Sequence, residues 1–222
     1  MIDLLIIILL SYLIGSFPTG VIAGRLFKKI DIRDYGSGNM GATNAFRVLG
    51  SKIGLLVALI DMMKGALVVL FVVKIRIFSE PLLSASGLFI IATLAVVLGH
   101  IKPLFARFKG GKGFGTAAGA ILTAYPPLAP FCFFVFLLTL VLSGNVAFSD
   151  VITAFFLPVL YYLMSRYACL IYDPLIFGFF IAPFLLTFII IRKKFFQYLR
   201  GEAELFTGIM LFRKRKENDE KK

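Results

Sequence analysis

The sequence predicts an all-α membrane protein, built as one bundle of about seven transmembrane helices. Of its 222 residues, 59% are hydrophobic and only 16% are charged, and the mean hydropathy is +0.93. A water-soluble domain of this length would need a much larger polar surface. The main apolar segments also approach the length of about 17–25 residues that a helix needs to cross a bilayer.

The first half of the chain contains three apolar segments, and each predicts one span. A short polar break at Ser79-Glu80-Pro81 separates the second span from the third. The predicted spans are Ile2–Ala23, Ile53–Ile75 and the segment from that break to Gly99. Two polar loops lie between and after them, Gly24–Ser51 and His100–Gly115.

The segment Thr116–Leu142 is too long for a single span and contains Pro126, Pro127 and Pro130. Proline cannot continue a helix without losing a backbone hydrogen bond, so we expect the chain to turn there and cross twice. The first of these crossings, Thr116 to about Tyr125, is short for a bilayer. Two further spans are predicted, Val151–Ser165 and Leu170–Ile191.

Basic residues concentrate in both polar loops and again after the last span, from Arg192 onward. Because cytoplasmic segments of membrane proteins carry an excess of Lys and Arg, all three regions should lie in the cytoplasm. Seven spans satisfy this condition with the N-terminus outside and the C-terminus inside, whereas six would place the basic end outside. We expect residues 1–212 to form the membrane domain and residues 213–222 a charged cytoplasmic tail.

The composition argues against several other classes of protein. The net charge of +12, from 24 Lys+Arg against 12 Asp+Glu, follows from the same topological bias. A nucleic-acid-binding face would combine basic residues with stacking aromatics, but the 25 Phe lie mainly in apolar runs. Cys132 and Cys169 lie in apolar segments and His100 is the only histidine, so we expect no disulfide, no metal site and no cofactor.

The first polar loop contains a glycine-rich segment that a helix bundle does not need for spanning a membrane. Residues 36–47 read GSGNMGATNAFR. Glycines expose backbone N–H groups, and hydroxyls, amides and an arginine beside them form an anion site. The candidate residues are Gly36, Ser37, Gly38, Asn39, Gly41, Thr43, Asn44 and Arg47.

The second polar loop contains a similar segment, Lys109-Gly110-Gly111-Lys112-Gly113, shortly before a predicted helix start near Thr116. Helix N-termini favour anions, so the two loops on one membrane face predict a site for one or two phosphates. The spacing GxxxxGK[ST] of the P-loop is absent. Turns or close helix contacts are the alternative interpretation of each segment taken alone.

Three further residues are candidates for function. His100 has the pKa range for acid–base chemistry, although the sequence offers no Ser or Cys triad around it, and a hydrogen-bonded interfacial role is the alternative. Leu104 and Phe105 follow His100 at four and five positions, where an acidic residue would indicate the His–Asp acyltransferases, so that class is not supported. Asp61 and Lys64 lie one turn apart in the second span, where charges are costly, and either a structural ion pair or a functional one fits.

These motifs resemble those of the bacterial acyl-phosphate:glycerol-3-phosphate acyltransferases, the PlsY family. GSGNMGATNAFR and the segment from Gly99 to Gly113 are similar to the first two family signatures. The flanking segments agree, and the resemblance extends from Leu5 to about Gly201. The flanking segments are Gly15-Ser16-Phe17-Pro18-Thr19-Gly20, Asp31-Ile32-Arg33 and Asp61-Met62-Met63-Lys64-Gly65.

The resemblance implies a seven-span enzyme of the bacterial inner membrane, with its active site facing the cytoplasm and no metal or cofactor. The implied substrates are acyl phosphate and glycerol 3-phosphate, the products are lysophosphatidate and phosphate, and other phospholipid-synthesis enzymes are expected partners. Ser37, Arg47, His100 and Lys112 are the expected catalytic residues. The other loop residues named above, including Lys109, Gly110, Gly111 and Gly113, are expected to bind substrate.

The third family signature departs from its usual form in this chain. Arg192 and Gly201 align with it, but Lys194 and Gln197 occupy the usual Asn and Arg positions, and Glu202 or Glu204 fits the Glu only after a shift. A divergent or weakly active homologue with another acceptor is therefore one alternative. A phosphate-anion transporter or a lipid-phosphate-binding protein is another, although we find no internal repeat of the kind transporters favour.

Overall fold

A computed structural model describes residues 1–75, 82–167 and 170–181, together with positions 192, 196, 197, 199 and 200. Every regular element within these residues is helical, as the sequence predicts. The chain divides into two compact units, Met1–Pro127 and Leu128–Lys222, and each is described by itself.

The first unit carries both glycine-rich segments. Short 3₁₀ turns lie at Ile32–Asp34, Val72–Lys74 and Leu104–Ala106. Its α-helices are α1 (Ile2–Gly15), α2 (Thr19–Lys28), α3 (Ala42–Leu49), α4 (Ser51–Leu70), α5 (Ala85–Ile101) and α6 (Phe114–Ala124).

The predicted first span is not one continuous helix. Helix α1 ends at Gly15 and α2 begins at Thr19, because Pro18 has no N–H group with which to continue the helical ladder. The break makes the Phe17 carbonyl and the Thr19 hydroxyl available, and both hydrogen-bond to side chains of α4. The helix break at Pro18 therefore lets its two neighbours form polar contacts inside the unit.

Both predicted loops are shorter than the sequence suggests. The first contains α3, which meets α4 at Gly50, a residue with φ of +91° that suits glycine. The second begins only after Ile101, so His100 lies in the last turn of α5 and not in a loop. The amphipathic α3 was missed because glycines and polar residues surround it in the sequence.

Two helix pairs in this unit approach each other through glycines. On α6, a Cβ at Gly119 would overlap the Met62 carbonyl of α4, and a Cβ at Gly65 of α4 would overlap the Thr116 carbonyl. Gly15 of α1 and Gly99 of α5 meet in the same way. Small residues at such contacts let helix backbones pack closely, so α5 and α6 hold the ends of the second loop in place.

The second unit begins with α7 (Ala129–Ser143) and α8 (Val146–Tyr167). A turn at Gly144, with φ of +61°, directs α8 back along α7. Residues 174–181 are also helical. The buried Tyr161 hydroxyl donates to the Ile171 carbonyl and accepts from the Asp173 N–H, which connects α8 to the segment after it.

Five helical segments among the described residues are long and apolar enough to cross a membrane, namely Ile2–Lys28, Ser51–Lys74, Ala85–Ala106, Pro126–Ser143 and Phe148–Tyr167. Helix α6 has 11 residues, which corresponds to about 16 Å and about half of a bilayer core. Residues 182–191 of the predicted seventh span, the break at residues 79–81 and the tail lie outside the described residues. The seven-span topology therefore stays a prediction.

Candidate functional site

The first glycine-rich segment is shaped by Asn44, which lies in the first turn of α3 and is 1% exposed. Its Nδ2 donates to the carbonyls of Ile32, Tyr35 and Asn39 at 2.8–3.1 Å, and its Oδ1 accepts the Ser37 N–H at 2.9 Å. These four hydrogen bonds engage both the nitrogen and the oxygen of the side-chain amide with backbone groups of the same loop. Asn44 therefore fixes the conformation of the loop. This role accounts for its presence in the segment without a direct contact to a substrate.

The glycines on either side of Ser37 have conformations that match this arrangement. Gly36 and Gly38 have φ of +61° and +71°, in the region that favours glycine. A Cβ at Gly36 would also overlap the Asn44 amide oxygen. The Asn39 side chain accepts the Gly41 N–H at 3.1 Å, just before α3 begins. The segment is thus a preformed turn that leads into a helix N-terminus.

Three of the predicted polar ligands remain exposed on this turn and helix, namely Ser37, Thr43 and Arg47. Thr43 and Arg47 are four residues apart on α3, so their side chains share one helix face. The hydroxyls can donate to phosphate oxygens, and the guanidinium can bind a phosphate through two parallel hydrogen bonds. This part of the first unit can therefore bind an anion from solvent.

Arg33, which precedes the first glycine-rich segment, joins the first polar loop to the second. Its guanidinium makes a two-pronged pair with Asp31, with N–O distances of 2.9 and 2.6 Å, and donates to the Ala106 carbonyl at 2.9 Å. The Lys109 carbonyl lies 3.4 Å from the same nitrogen. The two loops, which the sequence predicts on one membrane face, therefore lie against each other.

The Asp31–Arg33 ion pair predicts that the stability of this contact between the two loops depends on pH. The hydrogen bond from Arg33 lowers the pKa of the Asp31 carboxyl from 3.8 to about 2. Because the pKa is lower in the folded state, the ionised carboxylate stabilises the fold at pH values above the pKa of the unfolded chain. This stabilisation is lost as the pH falls through about 2. We expect Asp31→Asn to lower the thermal midpoint in detergent at pH 6, and the difference from wild type to narrow as the pH falls from about 4 toward about 2.

The exposed neighbour Asp34 provides the control for that experiment. Asp34→Asn removes a carboxylate from the same turn but keeps the Asp31–Arg33 pair. It should therefore leave the low-pH profile of the wild type in place. A difference between wild type and Asp31→Asn that stayed constant down to about pH 2 would contradict the assignment.

The second glycine-rich segment folds back onto His100. The His100 carbonyl accepts the Gly111 N–H at 3.0 Å. A Cβ at Gly111 would overlap the Nε2 end of the imidazole, and a Cβ at Gly110 would overlap the His100 carbonyl and the Pro103 ring. Both glycines are therefore required by close approach to this histidine. The Gly111 N–H, predicted to face substrate, already has an acceptor inside the protein.

The two lysines of this segment reach the surface, whereas Gly113 is buried. Lys109 is exposed and Lys112 is half-buried, while Gly113 has φ of +82° and caps the N-terminus of α6. The expected helix start near Thr116 is thus close to the observed one at Phe114. Lysine side chains beside a helix N-terminus provide positive charge where a phosphate binds well.

The inner side of this segment, at His100, adjoins a cluster of buried polar residues. They are Thr19, Asp61, Lys64, His100 and Thr116. The Lys64 ammonium is 2.7 Å from Asp61 Oδ1, so the ion pair considered from their spacing is confirmed. The Thr19 hydroxyl donates to the same oxygen at 3.0 Å, and Lys64 also donates to the Phe17 carbonyl at 2.6 Å. His100 Nδ1 lies 3.2 Å from the Thr116 hydroxyl and 3.7 Å from Asp61 Oδ1.

Residues 5–201 match the protein family described as "Glycerol-3-phosphate acyltransferase". The chain therefore belongs to the glycerol-3-phosphate acyltransferase family. The family resemblance of the two glycine-rich segments is confirmed, as is the prediction of an acyltransferase.

Curated relatives and solved structures agree with this membership. A glycerol-3-phosphate acyltransferase of Chlorobium phaeobacteroides (strain BS1) is 48% identical over 164 residues, which cover 72% of this chain and 70% of that protein. One of Chlorobaculum tepidum is 44% identical, with coverage of 72% and 71%.

Crystal structures of PlsY, an integral membrane glycerol 3-phosphate acyltransferase, also resemble this fold. The glycerol 3-phosphate form has a TM-score of 0.75 at 30% identity, covering 91% of this acyltransferase and 95% of that chain. The lysophosphatidic acid form has a TM-score of 0.73 at 29% identity, with coverage of 91% and 94%. An integral-membrane helical fold is therefore established for this acyltransferase.

The structure thus divides the predicted site residues of this acyltransferase into two groups. The surface group has exposed or half-buried polar side chains. The inner group, in which Gly36 and Gly38 are themselves exposed, shapes the loops through contacts within the protein. The surface group contains Ser37, Thr43, Arg47, Lys109 and Lys112. The inner group contains Gly36, Gly38, Asn39, Gly41, Asn44, His100, Gly110, Gly111 and Gly113.

Sequence reasoning missed several residues that support the site. Thr19 and Thr116 are buried in the cluster around Asp61, and Arg33 joins the loops. The signal for Thr19 and Arg33 was membership in the short motifs that flank the glycine-rich segments, whereas Thr116 was noted only as the expected helix start. Within the segment 192–204, the structure describes only positions 192, 196, 197, 199 and 200. Among the described residues, no three His, Cys, Asp or Glu side chains converge on a metal position.

Proposed function

We propose that this acyltransferase transfers a fatty acyl group from acyl phosphate to the 1-hydroxyl of sn-glycerol 3-phosphate, giving lysophosphatidate and inorganic phosphate. The observation that supports the proposal is the contact made by Arg33, because it holds the two basic polar loops, which carry the candidate phosphate ligands, against each other. The related PlsY structures are a glycerol 3-phosphate form and a lysophosphatidic acid form, which correspond to an acceptor and a product.

The charges of the surface group suit two phosphorylated substrates. Acyl phosphate and glycerol 3-phosphate are both anionic, and Arg47, Lys109 and Lys112 can offset their charge. Arg47 suits a two-pronged phosphate contact, whereas the lysines act as point charges. The Ser37 and Thr43 hydroxyls can donate to the remaining phosphate oxygens or to the developing oxyanion.

The proposed reaction is one displacement at the acyl carbon. The 1-hydroxyl oxygen forms the new ester bond, the bond between the acyl carbon and the phosphate oxygen breaks, and inorganic phosphate leaves. The hydroxyl proton passes to a phosphate oxygen, so that the charges balance without a covalent enzyme intermediate. Because acyl phosphate is already activated, positioning and charge stabilisation can supply much of the rate.

His100 was expected to be a catalytic residue suited to acid–base chemistry, with a hydrogen-bonded role as the alternative; within this reaction it can orient the site or assist proton transfer. Its burial and its contacts with Thr116 and Gly111 favour the orienting role. The ring is 3% exposed, and the Gly111 backbone covers its Nε2 end. A substrate phosphate oxygen is then the proton acceptor, and His100 determines the position of the loop that holds Lys112.

The proposal also includes the membrane location. The acyl chain stays in lipid beside exposed apolar side chains such as Leu55 and Leu59 of α4, while the phosphates stay at the loops. The basic loops support a cytoplasmic active site in the bacterial inner membrane. Lysophosphatidate released there would pass to other enzymes of phospholipid synthesis.

Purified protein in detergent or vesicles, given palmitoyl phosphate and labelled glycerol 3-phosphate, tests this function. We expect labelled lysophosphatidate and stoichiometric phosphate, and no product from palmitoyl-CoA. Arg47→Ala and Lys112→Ala should each lower kcat/KM about tenfold to a hundredfold, because each removes a charge-assisted phosphate contact. Lys52→Ala, which removes an exposed charge at the start of α4, is the matched control and should retain full activity.

The same assay separates the alternatives. Normal rates in folded Arg47→Ala and Lys112→Ala would refute the assignment of these cations. Turnover of palmitoyl phosphate with a different acceptor would agree with the altered residues Lys194 and Gln197 of the third motif. Uptake of labelled phosphate into vesicles without acyl transfer would indicate a transporter.

A further inference from the structure

Five buried polar residues connect the helices of the first unit beneath the second loop. They come from the start of α2, from α4, from α5 and from α6, and none is more than 4% exposed. They are Thr19, Asp61, Lys64, His100 and Thr116. The cluster contains no proposed substrate contact, so the reaction described above does not explain why it is polar.

Buried charges in a membrane protein are costly and do not by themselves indicate stability. Replacing a buried ion pair by apolar residues of similar volume is often neutral or stabilising. Close packing at Gly65 and Gly119 already holds α4 against α6. Holding α4 against α6 therefore does not account for the polar cluster, which must have another role.

The contacts of Asp61 lead directly to His100. Asp61 Oδ1 accepts from Lys64 at 2.7 Å and from Thr19 at 3.0 Å, which holds the carboxylate in one orientation. His100 Nδ1 lies 3.7 Å from that oxygen and shares a hydrogen bond of 3.2 Å with the Thr116 hydroxyl. The Nδ1 edge of the ring is thus held on the cluster side.

The opposite edge of the ring lies against the loop. Nε2 packs on Gly111 so closely that a Cβ there would overlap it, and the His100 carbonyl accepts the Gly111 N–H. The neighbouring residue is Lys112, a proposed phosphate ligand. A rotation of the imidazole would therefore move the backbone from which Lys112 extends.

We infer that Asp61 and Thr116 are positioning residues, which orient His100 so that its ring sets the conformation of residues 110–112 for phosphate binding. Lys64 and Thr19 orient Asp61 in turn. This inference rests on the proposed acyl transfer, because the conformation is defined by the phosphate that Lys112 binds. The residues act through His100 and do not touch the reacting atoms.

Thr116→Val tests the inference with little change in volume. We expect kcat to fall about tenfold, because one buried hydrogen bond no longer orients the ring. Thr116→Ser, which keeps the hydroxyl, should restore most of the rate. Thr93→Val is the matched control: Thr93 is 2% exposed on α5, and its hydroxyl has no hydrogen-bond partner among the described residues.

Hydrogen exchange provides a readout that does not depend on turnover. We expect the peptide covering residues 108–113 to exchange faster in Thr116→Val and at the wild-type rate in Thr93→Val. Peptides from α4 and α7 should not change, which separates a local effect from partial unfolding. Equal rates and equal exchange in Thr116→Val and Thr93→Val would overturn the inference.

Asp61→Asn alone leaves the Lys64 ammonium buried without its partner and can prevent folding. The double variant Asp61→Leu/Lys64→Met removes both charges at similar volume. We expect it to fold, to lose at least about tenfold in kcat and to expose residues 108–113 to exchange. A folded double variant with the wild-type rate and exchange would show that the pair is only structural and would refute the positioning role.

The outcomes also distinguish the inference from the proposed function. If wild-type protein makes no lysophosphatidate, the proposed function fails, yet the exchange experiment still reports whether the cluster holds residues 110–112. If wild type is active and both variants match it in rate and exchange, the inference fails while the function stands.

Discussion

Replacing Gly111 by alanine is expected to lower acyl transfer by at least about 100-fold while the helices remain folded. The added Cβ would overlap Nε2, Cδ2 and Cε1 of His100. That ring cannot move aside freely, because Thr116 and Asp61 hold its other edge and the Gly111 N–H is bonded to the His100 carbonyl. The loop must shift instead, and a displacement of about 1 Å at a catalytic group costs about 100-fold.

Gly115→Ala is the matched control for this prediction. Gly115 lies four residues further along, in the first turn of α6, and a Cβ there would meet only the Asp61 Cβ at 3.5 Å, an ordinary contact. The measurement is the rate of lysophosphatidate formation from palmitoyl phosphate, with circular dichroism to establish helix content. A Gly111→Ala protein as active as Gly115→Ala would refute the described contact between His100 and the loop.

Replacing Gly119 by alanine is expected to have the largest effect on stability, a loss of about 3 kcal/mol. A Cβ at this position of α6 would overlap the Met62 carbonyl of α4, with the neighbouring backbone atoms also in close contact. Backbone cannot rotate away as a side chain can, so the two helices must separate. We expect acyl transfer to decrease as well, because α4 carries Asp61 and α6 carries Thr116.

Gly178→Ala provides the comparison, because Gly178 lies within the helical residues 174–181 and a Cβ there meets nothing within 4 Å. An alanine in an uncrowded helix should stabilise it by about 0.5–1 kcal/mol relative to glycine. Thermal midpoints in detergent, from the fraction of protein that stays monodisperse after heating, would measure both. A Gly119→Ala midpoint equal to that of Gly178→Ala would contradict the close contact between α4 and α6.

The exposed polar character of the surface group follows from residue type and local order, and its role in anion binding stays a prediction. Ser37, Thr43 and Arg47 remain exposed, as an anion site requires, and the glycines beside Ser37 adopt positive φ. Asn44 shows the limit of this reasoning. Its amide could equally bind a substrate or the loop, and only the positions of the Ile32, Tyr35 and Asn39 carbonyls decide between them.

The helix boundaries show a similar limit. Hydropathy locates the apolar segments, but it did not detect the break at Pro18, the helix α3 within the first loop or the extension of α5 through His100. Each of these depends on where backbone hydrogen bonds find partners. The short length of α6 was predictable, because the prolines after Tyr125 limit that helix directly.

The sequence by itself determined the family, the helical membrane class and the two basic glycine-rich segments. Composition, periodicity and residue order are enough for these, because the bilayer imposes helix length and phosphate chemistry demands cations and small residues. Only the tertiary structure decided that Arg33 joins the loops and that Asp61 and Thr116 hold His100 against Gly111. Such contacts join residues distant in the chain, so they depend on how the helices pack.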